Sequence, residues 1–240
     1  MATPGSNAGA SSGARTGTRR PKQAARPVTA AAIGQAAPAQ LVELLEALDP
    51  ADKTLLDLDI DVIGAAIDPR KLNSDQFVRL LSAIDRLARA GADIDLSRMR
   101  AGTFARIIAK ASSAQVEGIM VRPELRARIL GEIFRRMSEH FRTDRAASTR
   151  AVVHWRLTGG SGAGGYDRYE TVIDNGTCTV TAEPTRDPRV TITIHPAEFL
   201  KLITRNASGP VLFMTGKLKI KGDLAFAAGL TSLFDLPRAS

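Results

Sequence analysis

The chain has one cysteine in 240 residues, Cys178. An internal disulfide is excluded, and so is a metal cluster built from cysteines. A lone thiol suits a reducing compartment. Long apolar runs are also missing: no stretch approaches the ~20 residues needed to span a bilayer. The N-terminus has no apolar core of a secretory signal. Histidines number three, His140, His154 and His195, and they lie far apart. No His-Glu-x-x-His metal motif, nucleophile elbow or phosphate loop occurs. No catalytic residue, cofactor or metal ion is therefore expected, and the chain is read as a non-enzyme. Acidic residues are absent from residues 1–40, which hold Arg15, Arg19, Arg20, Lys22 and Arg26. This segment carries +5 of the net charge of +8.

What is present divides the chain into three. Residues 1–39 are rich in Ala, Gly, Pro, Ser and Arg. Such a segment buries too little apolar surface to order itself, so a disordered basic tail is expected. Basic tails touch nucleic acid or anionic membranes, or merely solubilise. The heavy Ala, Arg and Gly usage is what a GC-rich bacterial genome produces. The hydrophobic fraction of 44% suffices for a packed core elsewhere.

Residues 40–121 read as helical throughout. Leu41, Leu44, Leu45 and Leu48 mark a helix that Asp49-Pro50 ends. Asn73 or Ser74 caps another, with Phe77, Leu80, Leu81, Ile84 and Leu87 on one face and Gly91 as its stop. A further helix starts after Ser97 and carries Phe104, Ile107 and Ile108. A short one follows Ser112 or Ser113. The stretch Leu55 to Ile67 reads as a helical turn and loop. Arg98, Arg100, Arg106 and Lys110 invite a helix-turn-helix reading. However, the would-be recognition helix, from Ser113 to Met120, offers Gln115 and Glu117 instead of phosphate-binding cations. A helical packing or partner module is the better reading.

Residues 122–237 differ. Pro123 opens a helix whose Leu130, Phe134, Met137 and Phe141 form one buried face. Glu132 with Arg136, and Arg135 with Glu139, read as pairs on its outer side. Strands follow at Arg150 to Leu157, Tyr166 to Ile173, Cys178 to Ala182 and Val190 to Ile194. Lys217 to Lys221 is a fifth, with Leu218 and Ile220 on one face and three lysines on the other. Gly160-Ser-Gly162-Ala-Gly-Gly165 matches G-x-G-x-x-G to the letter. It is followed by the β pattern Tyr-Asp-Arg-Tyr-Glu-Thr-Val-Ile, whereas a nucleotide site needs a helix there. A hairpin loop is expected instead, and Asp174-Asn-Gly176 reads as a tight hairpin turn.

The element order is helix, four antiparallel strands, helix, helical turn, strand, helix. With the wording Met214-Thr-Gly-Lys-Leu-Lys-Ile-Lys-Gly-Asp223, it resembles the SCP2-like (sterol carrier protein 2) lipid-binding domain. The resemblance covers about residues 123–237 and is strongest from Thr191 onward. It implies an α+β fold: a five-stranded, mostly antiparallel sheet covered by helices, with an apolar tunnel for a sterol, fatty acyl chain or phospholipid. The expected lining is Phe199, Leu202 and Ile203 from one helix, Phe213 and Met214 from the turn, and Phe226, Leu230, Leu233 and Phe234 from an apolar helix spanning Leu224 to Phe234. Ala225, Ala227, Ala228 and Gly229 leave room beside the aromatics. Gly216 and Gly222 are read as turn glycines and Asp223 as a helix cap. The end Pro237-Arg-Ala-Ser240 is unlike a peroxisomal signal, so a cytoplasmic carrier or sensor is expected. Lys217, Lys219, Lys221 and the tail suit transient contact with an anionic membrane, and residues 40–121 suit a protein partner. Two alternatives stand. One is a structural or interaction module with a closed pocket. The other, less favoured, is a nucleic-acid-associated protein acting through its tail.

Overall fold

A computed structural model describes residues 29–51, 58–92, 94 and 96–235. Residues 1–28 of the expected tail lie outside that set. From residue 29 the expectation of disorder is corrected. Helix α1 (Ala30–Gln35) is capped by Thr29, whose hydroxyl accepts from the Ala32 amide at 3.2 Å. Its Ile33 is fully buried, and α1 packs on α3 (Ile60–Ala66). Ile33, with Ala36 beside it, holds this turn against the body.

Among the described residues the rest of the N-terminal half is built of helices, as the periodicity predicts; of the stretch Leu55 to Ile67, residues 55–57 lie outside the described set. Helix α2 (Pro38–Ala47) precedes α3 and lies along α4 (Ser74–Arg89). Asn73 and Gln76 make a reciprocal capping box at the start of α4. Gly91, with φ of 95°, ends it. A short 3-10 turn, Leu96–Arg98, delays α5 until Ala101–Lys110. Helix α6 (Ser113–Met120) has its own capping box from Ser112 and Gln115. Two of the cations that suggested DNA contact are used internally. Arg100 pairs with Asp61 at 2.7 Å, and Arg106 donates to the carbonyls of Gly64 and Ile67 at 2.6 and 3.0 Å.

Helix α7 (Pro123–Glu139) leads to a sheet of β1 (Arg150–Thr158), β2 (Tyr166–Asp174), β3 (Thr177–Thr181), β4 (Val190–Ile194) and β5 (Leu218–Gly222). Helices α8 (Pro196–Ile203) and α9 (Gly209–Met214) separate β4 from β5, and α10 (Leu224–Gly229) follows. The spatial order is β3-β2-β1-β4-β5. Three pairings are antiparallel. β1 and β4 run parallel, with Trp155 opposite Ile192 and Leu157 opposite Ile194, so the four strands expected to be antiparallel include one parallel pair. The β1–β2–β3 meander uses up one edge of β1, and β4 comes back along the other. Asn175 and Gly176, at φ of 47° and 86°, make the β2–β3 turn. The glycine-rich loop joins β1 to β2 as a hairpin, closed by Gly160 N–H donating to the Gly165 carbonyl at 3.0 Å. It opens no helix.

Phe134 of α7 anchors the sheet. Its ring stacks on Tyr169 at 4.0 Å and on Phe199 at 5.2 Å, and tilts against Trp155 at 5.9 Å. On the opposite side of α7 lies a correction. Glu132 and Arg136 are buried, not outward, because α5 and the turn before it cover them. Arg136 bonds Glu132 and donates to the carbonyls of Leu96 and Met99. Buried apolar side chains form one cluster through both halves of the chain. No described helix is long and apolar enough to cross a membrane.

Candidate functional site

Between the end of the sheet nearest β5 and the last helices lies an apolar cleft of about 180 Å³. One wall is the sheet. Strand β5 alternates, so Leu218 and Ile220 face inward while Lys219 and Lys221 face out. Ile220 stands opposite Ile192 of β4, which lies beside Trp155 of β1, and all of them line the cleft. The other wall is helical. It comprises Leu202 of α8, Pro210 and Phe213 of α9, Leu224, Ala227 and Ala228 of α10, and Leu230 in the 3-10 turn that follows. Thr231 contributes the one polar side chain.

Local chemistry sets the position of the helical wall. Gly222 ends β5 at φ of 105°, and a Cβ there would lie 2.3 Å from the Arg189 carbonyl oxygen. The chain can turn so tightly only at glycine. Asp223 then caps α10, accepting from the Phe226 amide at 2.8 Å. That amide and Arg189, which bonds the carboxylate at 2.7 Å, hold the Asp223 carboxyl below its ordinary range. Arg189 also lies over the Phe226 ring, 4.4 Å from its centroid. Of the small residues expected to leave room, Ala227 and Ala228 line the cleft, and Ala225 and Gly229 do not. Helix α10 ends at Gly229, and Leu230–Leu233 continue as a 3-10 turn, so the single helix expected from Leu224 to Phe234 is two shorter pieces.

The nine residues expected to line a tunnel divide by position. Leu202, Phe213 and Leu230 line the cleft. Phe199 lies one layer behind, fully buried, with its ring 5.5 Å from Trp155. Ile203 points to the other side of α8, into a hollow of about 30 Å³ shared with Phe104, Ile108, Ile133 and Met137. Phe226 is held by Arg189. Leu233 packs against the core, and its carbonyl accepts from the Arg142 amide at 2.8 Å. Phe234 meets Phe141 edge-on at 5.5 Å. Met214 is 85% exposed. Sequence reasoning missed the sheet wall of Trp155, Ile192, Leu218 and Ile220. The inward alternation of β5 was the available signal for the last two.

The histidines are dispersed. His195 caps α8, its Nδ1 accepting from the Ala197 amide at 3.3 Å. His154 lies 3.2 Å from Glu170 on the sheet face opposite the cleft. His140 borders the small hollow under α5. Cys178 is half-buried, and burial pushes its thiol up to about 12. Among the described residues, no three His, Cys, Asp or Glu side chains gather as they would around a metal ion. A wider open groove, about 730 Å³, runs between α4 and the start of α7. Several of its charges are paired: Arg89 with Asp85 and Glu124, and Arg86 with the carbonyls that end α2; Arg122 reaches only the Ser82 hydroxyl, at 3.5 Å.

A family model described as the SCP-2 sterol transfer family matches residues 130–235. The hydroxysteroid dehydrogenase-like protein 2 of Bos taurus is 27% identical over 113 residues, which are 47% of this chain and 26% of that protein. The chain thus spans about a quarter of the length of this curated relative. Among solved structures, the sterol carrier protein domain 2 of Helicoverpa armigera is 26% identical over 44% of this chain and 79% of its own, with a TM-score of 0.34. The inverting sec-alkylsulfatase Pisa1 from Pseudomonas sp. is 16% identical, covers 84% of this chain and 28% of its own, and has a TM-score of 0.41. Overlays that loose add nothing to the strand order and register described above. The matched residues 130–235 run from mid-α7 through the mixed sheet to the last turn at the cleft, and the C-terminal half of this chain is an SCP2-like domain.

Proposed function

We infer that this domain binds the hydrocarbon of a lipid in the cleft beside β5 and carries or senses that lipid without transforming it. The cleft is the observation that supports the reading: one polar side chain, Thr231, in an otherwise apolar wall. Each methylene moved there from water gains ~0.8 kcal/mol. At about 180 Å³ the cleft is smaller than the ~300–1,000 Å³ of typical ligand sites. A sterol or a full acyl chain must therefore push α9 and α10 outward. Those two helices are six residues each, and most of their residues are exposed or half-buried.

The small volume also favours a second reading, a protein-interaction module whose cleft stays shut. Native mass spectrometry of the full chain, with organic extraction and lipid identification, separates the two. A lipid bound near one-to-one, or uptake of a fluorescent fatty acid or sterol, supports the carrier. A clean apo mass with no uptake of either probe overturns it and leaves the interaction module.

A further inference from the structure

The α7–β1 connection, the α8–α9 connection and the turn after α10 border an open groove of about 680 Å³. Arg142, Arg145 and Arg205 line it, and no carboxylate does. The groove between α4 and α7, by contrast, mixes Asp85 and Glu124 with its arginines. Leu202, Gly209, Pro210 and Thr231 border both this cationic groove and the apolar cleft, so the two adjoin. Gly209 and Pro210 begin α9. The outward movement of α9 that a full acyl chain requires therefore opens one into the other.

The three cations are not used alike. Arg142 pairs with Asp144 at 3.2 Å. Arg145 and Arg205 are exposed, and no carboxylate among the described residues is within ion-pair distance of either. Ser208, on the same groove, accepts from the Val211 amide at 3.4 Å and keeps its own O–H to donate.

Arg205 stands against local backbone preference. Helix α8 closes with the Arg205 amide donating to the Leu202 carbonyl at 3.2 Å and the Asn206 amide to the Lys201 carbonyl at 2.8 Å. That closure puts one residue in the left-handed region, where glycine is usual. Arg205 occupies it at φ of 59°. A glycine would close the helix at less steric cost, so the fold itself gains nothing from this guanidinium.

We propose that this groove holds the phosphate head of a single-chain lipid whose hydrocarbon lies in the cleft. The two unpaired guanidiniums, Arg145 and Arg205, match the charge of about −2 that a phosphate monoester carries at neutral pH. Guanidiniums also pair bidentately with phosphate oxygens. A sterol hydroxyl would leave both cations without a counter-charge. The inference rests on the cleft being a lipid site, and it names the class of lipid.

The test titrates the full chain with decyl phosphate, decanoate and decanol, which differ in the head. Trp155, the one tryptophan of the chain, lines the cleft and reports binding by its fluorescence. Decyl phosphate should bind at least about tenfold more tightly than decanol, with decanoate between them. That preference should fall about fivefold in Arg145→Gln and again about fivefold in Arg205→Gly. Arg205→Gly should melt no lower than wild type, which separates lost recognition from lost folding. Inorganic phosphate in about a hundredfold excess should leave decyl phosphate bound, because the tail supplies most of the affinity. Displacement by it would assign the groove to free phosphate and overturn the proposal. Equal binding of decyl phosphate and decanol, or an unchanged preference in both variants, would also overturn it and leave the lipid site standing. No binding of any of the three, by fluorescence and by equilibrium dialysis, would remove the lipid site and the head subsite with it.

Discussion

Arg136 donates through Nη2 to the carbonyl oxygen of Met99 at 2.6 Å, across the seam between the sheet-bearing half and the helices before it. The same nitrogen reaches Leu96 at 2.9 Å, and the guanidinium lies 4.8 Å from the centre of the Phe104 ring. Arg136→Ala leaves two carbonyls bare and removes one cation from the buried Glu132 carboxylate, which should cost about 3 kcal/mol. Arg150→Ala, whose partner Asp174 is exposed like itself, should cost about 1 kcal/mol or less. Urea unfolding of the two variants measures this. Equal losses would mean that the seam contributes nothing special.

Glu170 predicts an acid-labile loop. Burial pushes its carboxyl up, but the amides of Arg186 and Thr185, with His154, outweigh that and hold it below its ordinary range. A depressed folded value means the stabilisation is complete above the unfolded pKa of about 4.3 and is lost as pH falls through the folded one. Glu170→Gln should cost about 2 kcal/mol at pH 7, and its deficit relative to wild type should shrink below pH ~4. Amide exchange at Thr185 and Arg186 should accelerate in the variant. A deficit that stays constant from pH 7 to pH 3 would contradict the assignment.

Ala228 lines the cleft from α10 and is exposed, so a larger side chain there can fill the space without straining the core. Ala228→Phe should lower fluorescent fatty acid uptake about tenfold or more, which corresponds to 1–2 kcal/mol of steric conflict. The melting temperature should hold or rise. Undiminished uptake would move the ligand elsewhere.

Cys178 on β3 packs against the core with its thiol at about 12. At pH 8 the folded protein should react with thiol reagents more than about a hundredfold slower than the urea-unfolded chain, since the thiolate is the reactive species. Equal rates would show that β3 opens freely.

Much of this was legible in the residues themselves. The Asn73 cap, the Asn175-Gly176 turn and the strand Val190–Ile194 each follow from local chemistry, and each appears where it was expected. Glu132 and Arg136 were not legible. At four apart on a helix they look like a solvated pair, and only the covering of α7 by residues 96–110 turns them inward. The cleft was half legible. Leu202, Phe213 and Leu230 lie on segments whose apolar excess is visible locally. Trp155 and Ile192 become neighbours only through the parallel β1–β4 pairing, which no local pattern encodes. Met214 shows the opposite failure, since hydrophobicity alone does not tell a lining residue from a rim residue.

The parallel β1–β4 pair also sets an order of assembly during synthesis. β1, β2 and β3 are joined by short local connections, the glycine-rich loop and the Asn175-Gly176 turn, and can zip as they leave the ribosome. The second edge of β1 stays unsaturated until Val190–Ile194 has been translated. β4 then becomes the bare edge until Leu218–Gly222 arrives. Such non-local pairings close slowly, and a free apolar edge is a template for intermolecular pairing. A nascent chain paused between Ile194 and Leu218 presents Val190, Ile192 and Ile194 beside an unfinished cleft. The strand that completes the sheet wall of the cleft is also the strand that covers this exposed edge.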